Sequence, residues 1–438
     1  MNRPITSLLG LSLTATLLAA CAGGSADDDG TTDGGGGGAA SDEEVTSLTF
    51  WSNHPGSSKE VEEQLIAAYE EETGISINLV TAGANYEEVA NRFNAAQAGS
   101  DVPDIVIASD VTWFPMMLND AIAPLDDLWE AQGSDTDSYV DALREDYLYD
   151  DQHFAVPYAR STPLFYYNKE MWQAAGLPDR GPETWDEFAE WADDLREANS
   201  EMPALVLPDG SNYLDWHFQG MIWTFDGAYS HEWDTEAMTS EGSIAAGEFL
   251  QGQVESGNFV IATDPNSDFA AGQAAALLQS TGSLGGLTEA ATFEFGTAFL
   301  PGPQPGVTTG GAGLAVSSKI SEARKAAAVD FLDWYTSTPN TVTFSQSTGY
   351  VPVRKDAVDT DEVQAYLEEN PNFRTAVEQL PNTQSQDYAR VFVPGGGARI
   401  GAALDRITTG GEDVTEVFTQ LAEDTQQVVE RDVEPELR

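Results

Sequence analysis

The stretch that decides the fold opens on Leu48-Thr49-Phe50-Trp51 and closes on Asp104-Ile105-Val106-Ile107-Ala108. Between them, Val61, Leu65, Ile66 and Tyr69 recur at helical spacing over about 59–72, and Gly74 stands where a left-handed C-cap is needed. Ile75–Val80 is a second β-type run. A second helix is predicted over about 86–98, with Val89 and Phe93 inward, before the strand at 104–108. Strand, helix, strand, helix, strand implies a parallel sheet joined by right-handed crossovers.

The same alternation continues outward. Thr184-Trp185-Asp186-Glu187 is a capping box that opens a helix to about 197, and the strand Ala204–Leu207 ends at Pro208. Further helices are predicted at 242–256, 319–336 and 411–431. The last carries Val414, Val417, Phe418, Leu421, Val428 and Val429 on one side. There is no internal repeat and no Gly/Ser-rich linker inside the body. The class is α/β, and 438 residues suggest two or three domains.

The N-terminal segment has a different character. Arg3 precedes the apolar run Leu8–Ala20, which is shorter than the roughly 20 residues a spanning helix needs. A charged start, a short apolar stretch and small residues before a cut mark a secretory signal over 1–20. Leu18-Ala19-Ala20-Cys21 resembles a bacterial lipobox, which implies lipidation of Cys21, the sole cysteine. Residues 21–45 are Gly, Ala, Ser, Thr and acids almost throughout, which predicts a flexible spacer. The expected location is the outer face of the bacterial cell membrane, held there by the N-terminal lipid alone.

Composition excludes several functions. Lys plus Arg number 19 against 73 Asp plus Glu, a net charge of -54, which argues against whole-surface binding to nucleic acid or anionic lipid. One cysteine rules out a disulfide framework. His54, His153, His217 and His231 show no metal-ligand spacing, and there is no G-x-S-x-G elbow, P-loop or dinucleotide fingerprint. Chance carboxylate pairs are too many for a glycosidase to be excluded by pattern, but nothing convergent marks an enzyme.

Several strings, in order along residues 46–432, resemble the extracellular solute-binding proteins of ABC importers, in the class that takes sugars and polyols. They are Phe50-Trp51, Val156-Pro157-Tyr158 before Tyr166-Tyr167-Asn168-Lys169, Thr184-Trp185-Asp186-Glu187-Phe188, Gly310-Gly311-Ala312-Gly313-Leu314-Ala315-Val316 and Ala328-Val329-Asp330-Phe331-Leu332. Closer marks resemble the glycerol-3-phosphate-binding branch. These are Ala84-Asn85-Tyr86-Glu87, Arg160-Ser161-Thr162-Pro163-Leu164-Phe165, Gln279-Ser280-Thr281-Gly282-Ser283-Leu284 and Ser347-Thr348-Gly349-Tyr350-Val351-Pro352.

The resemblance implies ligand contacts at Tyr86, Asp110, Ser161, Ser280, Gly311, Tyr350 and Arg399, with Tyr213 and Trp216 as aromatic positions. It implies no cofactor and no metal. The residue chemistry is coherent: Arg399 offers forked donors to a phosphate, and Asp110, acceptor-only, suits ligand hydroxyls and repels phosphate. Arg160 is either a second phosphate-directed cation or the solvent-facing alternate of a strand. The family pattern has a longer acid at Asp110 and a Trp at Tyr213. That leaves glycerol 3-phosphate, a glycerophosphodiester such as glycerophosphocholine, and a neutral sugar all open.

The implied architecture is the two-lobed periplasmic-binding-protein fold with several hinge crossings. Lobe one is expected at 46–158 and 311–348, and lobe two at 161–309 and 350–438. The crossings are expected near 157–161, 308–312 and 347–352. A monomer that closes on its ligand and delivers it to the transmembrane subunits of a permease is the implied mechanism.

Overall fold

The computed structural model of the protein describes residues 44–99, 101–303 and 306–437. The predicted signal, Cys21 and most of the predicted spacer lie outside the described residues. The strands that build the two main sheets are β1 (Ser47–Ser52), β2 (Ser76–Thr81), β3 (Ile105–Ser109), β4 (Val156–Ser161), β5 (Pro163–Asn168), β6 (Leu205–Pro208), β7 (Phe259–Ala262), β8 (Ala276–Ser280), β9 (Phe295–Ala298) and β10 (Gly310–Val316). The first sheet runs β2-β1-β3-β10-β4 and the second β9-β5-β8-β6-β7.

The expected parallel sheet holds for β1, β2 and β3. β10 breaks it: this strand pairs antiparallel with both β3 and β4. It returns from the second sheet and so enters the first against the local direction. The chain leaves the first sheet between β4 and β5, at Thr162, and comes back between β9 and β10.

Near-continuous apolar strands reflect burial on both faces. In the second sheet Phe165, Leu205, Leu207 and Leu278 enter one core with Phe188, Leu250 and Phe418. Their alternates Leu164, Tyr166, Val206 and Leu277 enter another, with Leu284, Val342 and Phe373. The first sheet has its own core around Phe50, Val106, Phe331 and Leu332, which also takes in Tyr350, Val351, Val353 and Val433. Two sheets, each enclosed by helices, make two lobes.

The helix signals translate locally. Gly74 adopts φ 76° and closes the Lys59–Thr73 helix. Thr184 Oγ1 accepts the Glu187 N–H at 3.1 Å and opens Trp185–Ala198. The return half of that capping box differs, since the Glu187 carboxylate accepts from Glu183 N–H and Arg180. The later helices run Glu241–Glu255, Glu322–Tyr335 and Val414–Val428. No helix among the described residues is long and apolar enough to cross a membrane.

Candidate functional site

A cavity of about 350 Å³ lies between the two sheets, where β3, β4 and β8 end and β10 begins. Eight of the nine positions implied by the resemblance line it: Tyr86, Asp110, Ser161, Tyr213, Trp216, Ser280, Gly311 and Tyr350. Strand termini explain the clustering. Ser161 ends β4, Ser280 ends β8, Asp110 follows β3, and Gly311 lies at the start of β10.

Each is held by identifiable neighbours. Asp110 N–H donates to the Gly311 carbonyl at 3.1 Å, joining β3 to β10 at the cavity edge. Gly311 has φ 93°, and a Cβ there would stand 2.1 Å from the Ala159 carbonyl oxygen. Asn85 caps the Tyr86–Ala96 helix through Glu88 N–H and so sets Tyr86 at its first turn. The Tyr86 and Tyr350 phenols are neighbours at the cavity wall, and the Tyr86 ring lies 6.2 Å from that of Tyr213. Burial, with these neighbouring phenols, keeps the Tyr86 hydroxyl well above its ordinary pKa. It therefore stays a neutral donor. Trp216 donates its indole N–H to the Thr309 carbonyl at 3.1 Å.

Arg399 does not line the cavity. It sits half-buried on the Gly396–Thr408 helix and donates to the Pro394 carbonyl at 3.0 Å. The cation that does line it is Arg390, 2% exposed. Its Nη1 donates to Asp110 Oδ2 at 2.7 Å and its Nε to Asp215 Oδ2 at 2.7 Å. Gln386 Nε2 adds a second bond to Asp110 Oδ2 at 2.8 Å. Burial disfavours the charged guanidinium, but the two carboxylates outweigh it and hold its pKa above the ordinary value. Asp215 is itself pushed up by burial, against the lowering effect of Arg390. The signal for Arg390 was its setting: it stands in Ala389-Arg390-Val391-Phe392-Val393, where apolar neighbours bury a charge and oblige it to find partners.

Arg160 takes neither of the roles expected of it. Its side chain is fully buried behind the cavity, where it pairs with Asp146 and donates to the Tyr147 hydroxyl at 2.7 Å. Thr309 Oγ1 donates to the same Asp146 at 2.6 Å. Strand alternation does not expose Arg160, because β4 is covered on both faces. At and behind the cavity floor two arginines, Arg160 and Arg390, thus stand against three aspartates, Asp110, Asp146 and Asp215.

His217 was also missed as a cavity residue. It is 1% exposed and follows Trp216 on the Leu214–Thr224 helix. Burial holds its imidazole down to about 4, against the raising pull of the Tyr213 carbonyl. In the unfolded chain the ring takes up its proton near 6.5. Between those values the unfolded state binds more protons than the folded one, so stability rises with pH. From pH 6.5 down to 4 this group should cost the fold about 3 kcal/mol. Urea unfolding at each pH should therefore show a flatter acid limb for His217→Phe than for the parent.

The family model described as bacterial extracellular solute-binding protein matches residues 64–374, and the chain belongs to that family. The family binds solutes for ABC importers and does not catalyse reactions on them.

Among solved structures, UgpB from Mycobacterium tuberculosis in complex with glycerophosphocholine is 46% identical with a TM-score of 0.85, covering 88% of this chain and 99% of that one. The sn-glycerol-3-phosphate-binding periplasmic protein UgpB of Pectobacterium atrosepticum is 25% identical over 394 residues, 85% of this chain and 87% of its own. The GacH receptor of Streptomyces glaucescens shares the two-lobed fold at a TM-score of 0.76 and 19% identity, covering 89% of this chain and all of that one.

Proposed function

We propose that this protein captures a glycerophosphodiester of the glycerophosphocholine type between its lobes and delivers it to an ABC permease. The observation that carries this reading is the charge balance of the cavity floor. Arg390 is the cation facing the cavity, and Asp110 and Asp215 already engage it. A dianionic phosphate monoester would meet this floor and a chain of net charge -54 with no surplus of positive charge to receive it. A phosphodiester has one negative charge, and a quaternary ammonium group on its far side cancels it. The Tyr86, Tyr213 and Trp216 rings supply aromatic faces that suit such a cation. The serine hydroxyls and the Tyr86 phenol supply neutral donors to the phosphate. The relative whose structure contains glycerophosphocholine supports the same assignment.

Calorimetry with the purified protein tests it. Glycerophosphocholine should bind stoichiometrically, without turnover, and with an affinity that barely changes between low and high salt. Glycerol 3-phosphate should bind more weakly and gain from added salt, which screens the repulsion. Binding of neutral oligosaccharides alone would overturn the reading.

The lobes proposed at 46–158 with 311–348 and at 161–309 with 350–438, the latter lending Tyr350, Val351, Val353 and Val433 to the first core, would close on the ligand as a monomer, through the β4–β5 and β9–β10 passages and the crossing expected near 347–352. Cys21 is proposed as the lipidated N-terminus of the mature protein. Cys21→Ala should release the protein from the membrane fraction into the medium, and an unmodified thiol on membrane-bound material would exclude the anchor.

A further inference from the structure

A neutral imidazole has one donor and one acceptor nitrogen, and its partners decide which is which. The His217 Nδ1 lies 2.7 Å from the Tyr213 carbonyl oxygen. A carbonyl only accepts, so Nδ1 carries the hydrogen and Nε2 is left with a lone pair. Nε2 is buried and closes no hydrogen bond. Gln279 reaches the ring from the cavity wall with its carbonyl side, whose Oε1 accepts the Ser280 N–H at 2.8 Å, and an acceptor oxygen cannot satisfy the Nε2 lone pair. A buried acceptor without a donor is costly in a folded protein, and a binding cavity is where such a cost can be recovered by ligand.

We infer that His217 Nε2 accepts a hydrogen bond from a hydroxyl at the glycerol end of the ligand, and that with Asp110 it makes this end of the cavity a reader of free diols. The inference rests on the glycerophosphodiester assignment. Asp110 is acceptor-only, and its Oδ2 already receives Arg390 and Gln386. Oδ1 therefore remains to take one hydroxyl, while Nε2 takes another. Both acceptors repel a phosphate oxygen, so the ligand enters in one orientation. Esterification of either hydroxyl removes a donor and leaves one acceptor buried and unpaired. The ligand is thus a fully deacylated glycerophosphodiester, and the reaction that supplies it is hydrolysis of both acyl esters of a glycerophospholipid.

The test is a calorimetric cycle on the full chain. Parent and His217→Phe are each titrated with glycerophosphocholine and with its two mono-deoxy analogues, lacking one glycerol hydroxyl or the other. In the parent, loss of the hydroxyl that faces His217 should cost about five- to tenfold in affinity. In His217→Phe the parent ligand should lose about that much, and the same deoxy analogue should lose nothing further. Equal penalties for both analogues in both proteins would overturn the inference. Failure of the parent to bind glycerophosphocholine at all would instead remove the ligand assignment beneath it. Should His217→Phe not fold, the imidazole ¹⁵N signals of the parent decide the matter. Nε2 should be unprotonated in the free protein and shift on ligand addition, and a protonated or unresponsive Nε2 overturns the inference.

Discussion

Arg390→Leu should abolish high-affinity binding and destabilise the fold, both by large amounts. Arg390 is buried between Asp110 and Asp215, and removing it strands two carboxylates in the protein interior. Breaking a buried pair by deleting one partner typically costs 3–5 kcal/mol. The ligand also loses the group that fixes Asp110 at the cavity floor, so affinity should fall on the order of 100-fold or more.

The pH dependence follows from the sign of the Asp215 shift. Burial already raises that carboxyl, and Arg390 opposes the rise. Without the arginine, the folded state holds a proton to higher pH than the unfolded state does. The variant's extra stability is then present at acid pH and lost as pH rises through the raised value. It should be more impaired at pH 8 than at pH 5 in urea unfolding.

Combining Arg390→Met with Asp110→Asn and Asp215→Asn should restore much of the stability, because no unpaired charge remains, but none of the binding. A triple variant that regained affinity would show that Arg390 only balances charge. Arg399→Leu should leave affinity unchanged, since Arg399 stands outside the cavity.

Gly311→Ala is expected to have the second largest effect. Its φ of 93° is open to glycine and costs an alanine about 1–2 kcal/mol. The new Cβ would also stand 2.1 Å from the Ala159 carbonyl oxygen, inside the pairing of β10 with β4. The strands must separate locally, which adds a further 1–3 kcal/mol or so. Because Asp110 is joined to Gly311 through its N–H, and Ser161 lies two residues beyond Ala159, the cavity edge moves with them. Affinity for glycerophosphocholine should drop about tenfold or more, along with the midpoint of urea unfolding. Gly74→Ala is the control: its φ is 76° but nothing stands within 4 Å of the added Cβ. It should show the backbone cost alone and bind normally. Equal stability losses in the two variants would mean that the Ala159 contact relaxes freely.

The two glycine positions also differ in how much of their role is written in the local sequence. Gly74 was legible because a helix terminus is a local event: an apolar stripe stops and a left-handed cap follows. Gly311 could be placed only through family resemblance, because its requirement comes from Ala159, a residue distant in sequence. The same division separates the two arginines. Nothing in the local spacing distinguishes Arg390 from Arg399 as the cavity's cation, and none of the quoted motif strings extends into that region. Arg390 gains its role from Asp110 and Asp215, which lie 280 and 175 residues away along the chain. Arg160 misled for a related reason. Period two predicts which face a strand residue takes, but it cannot say that both faces are buried.

Short-range physics therefore determined the class: the alternation of β-type runs with capped amphipathic helices, and the absence of catalytic spacings. The ordered motifs then placed most of the cavity, because strand ends carry both the motif residues and the site. Tertiary structure alone decided which charges meet there, that β10 returns antiparallel, and that His217 keeps an unpaired acceptor at the cavity wall. Those outcomes depend on contacts between distant segments whose energies are set by burial, and burial is a property of the folded whole.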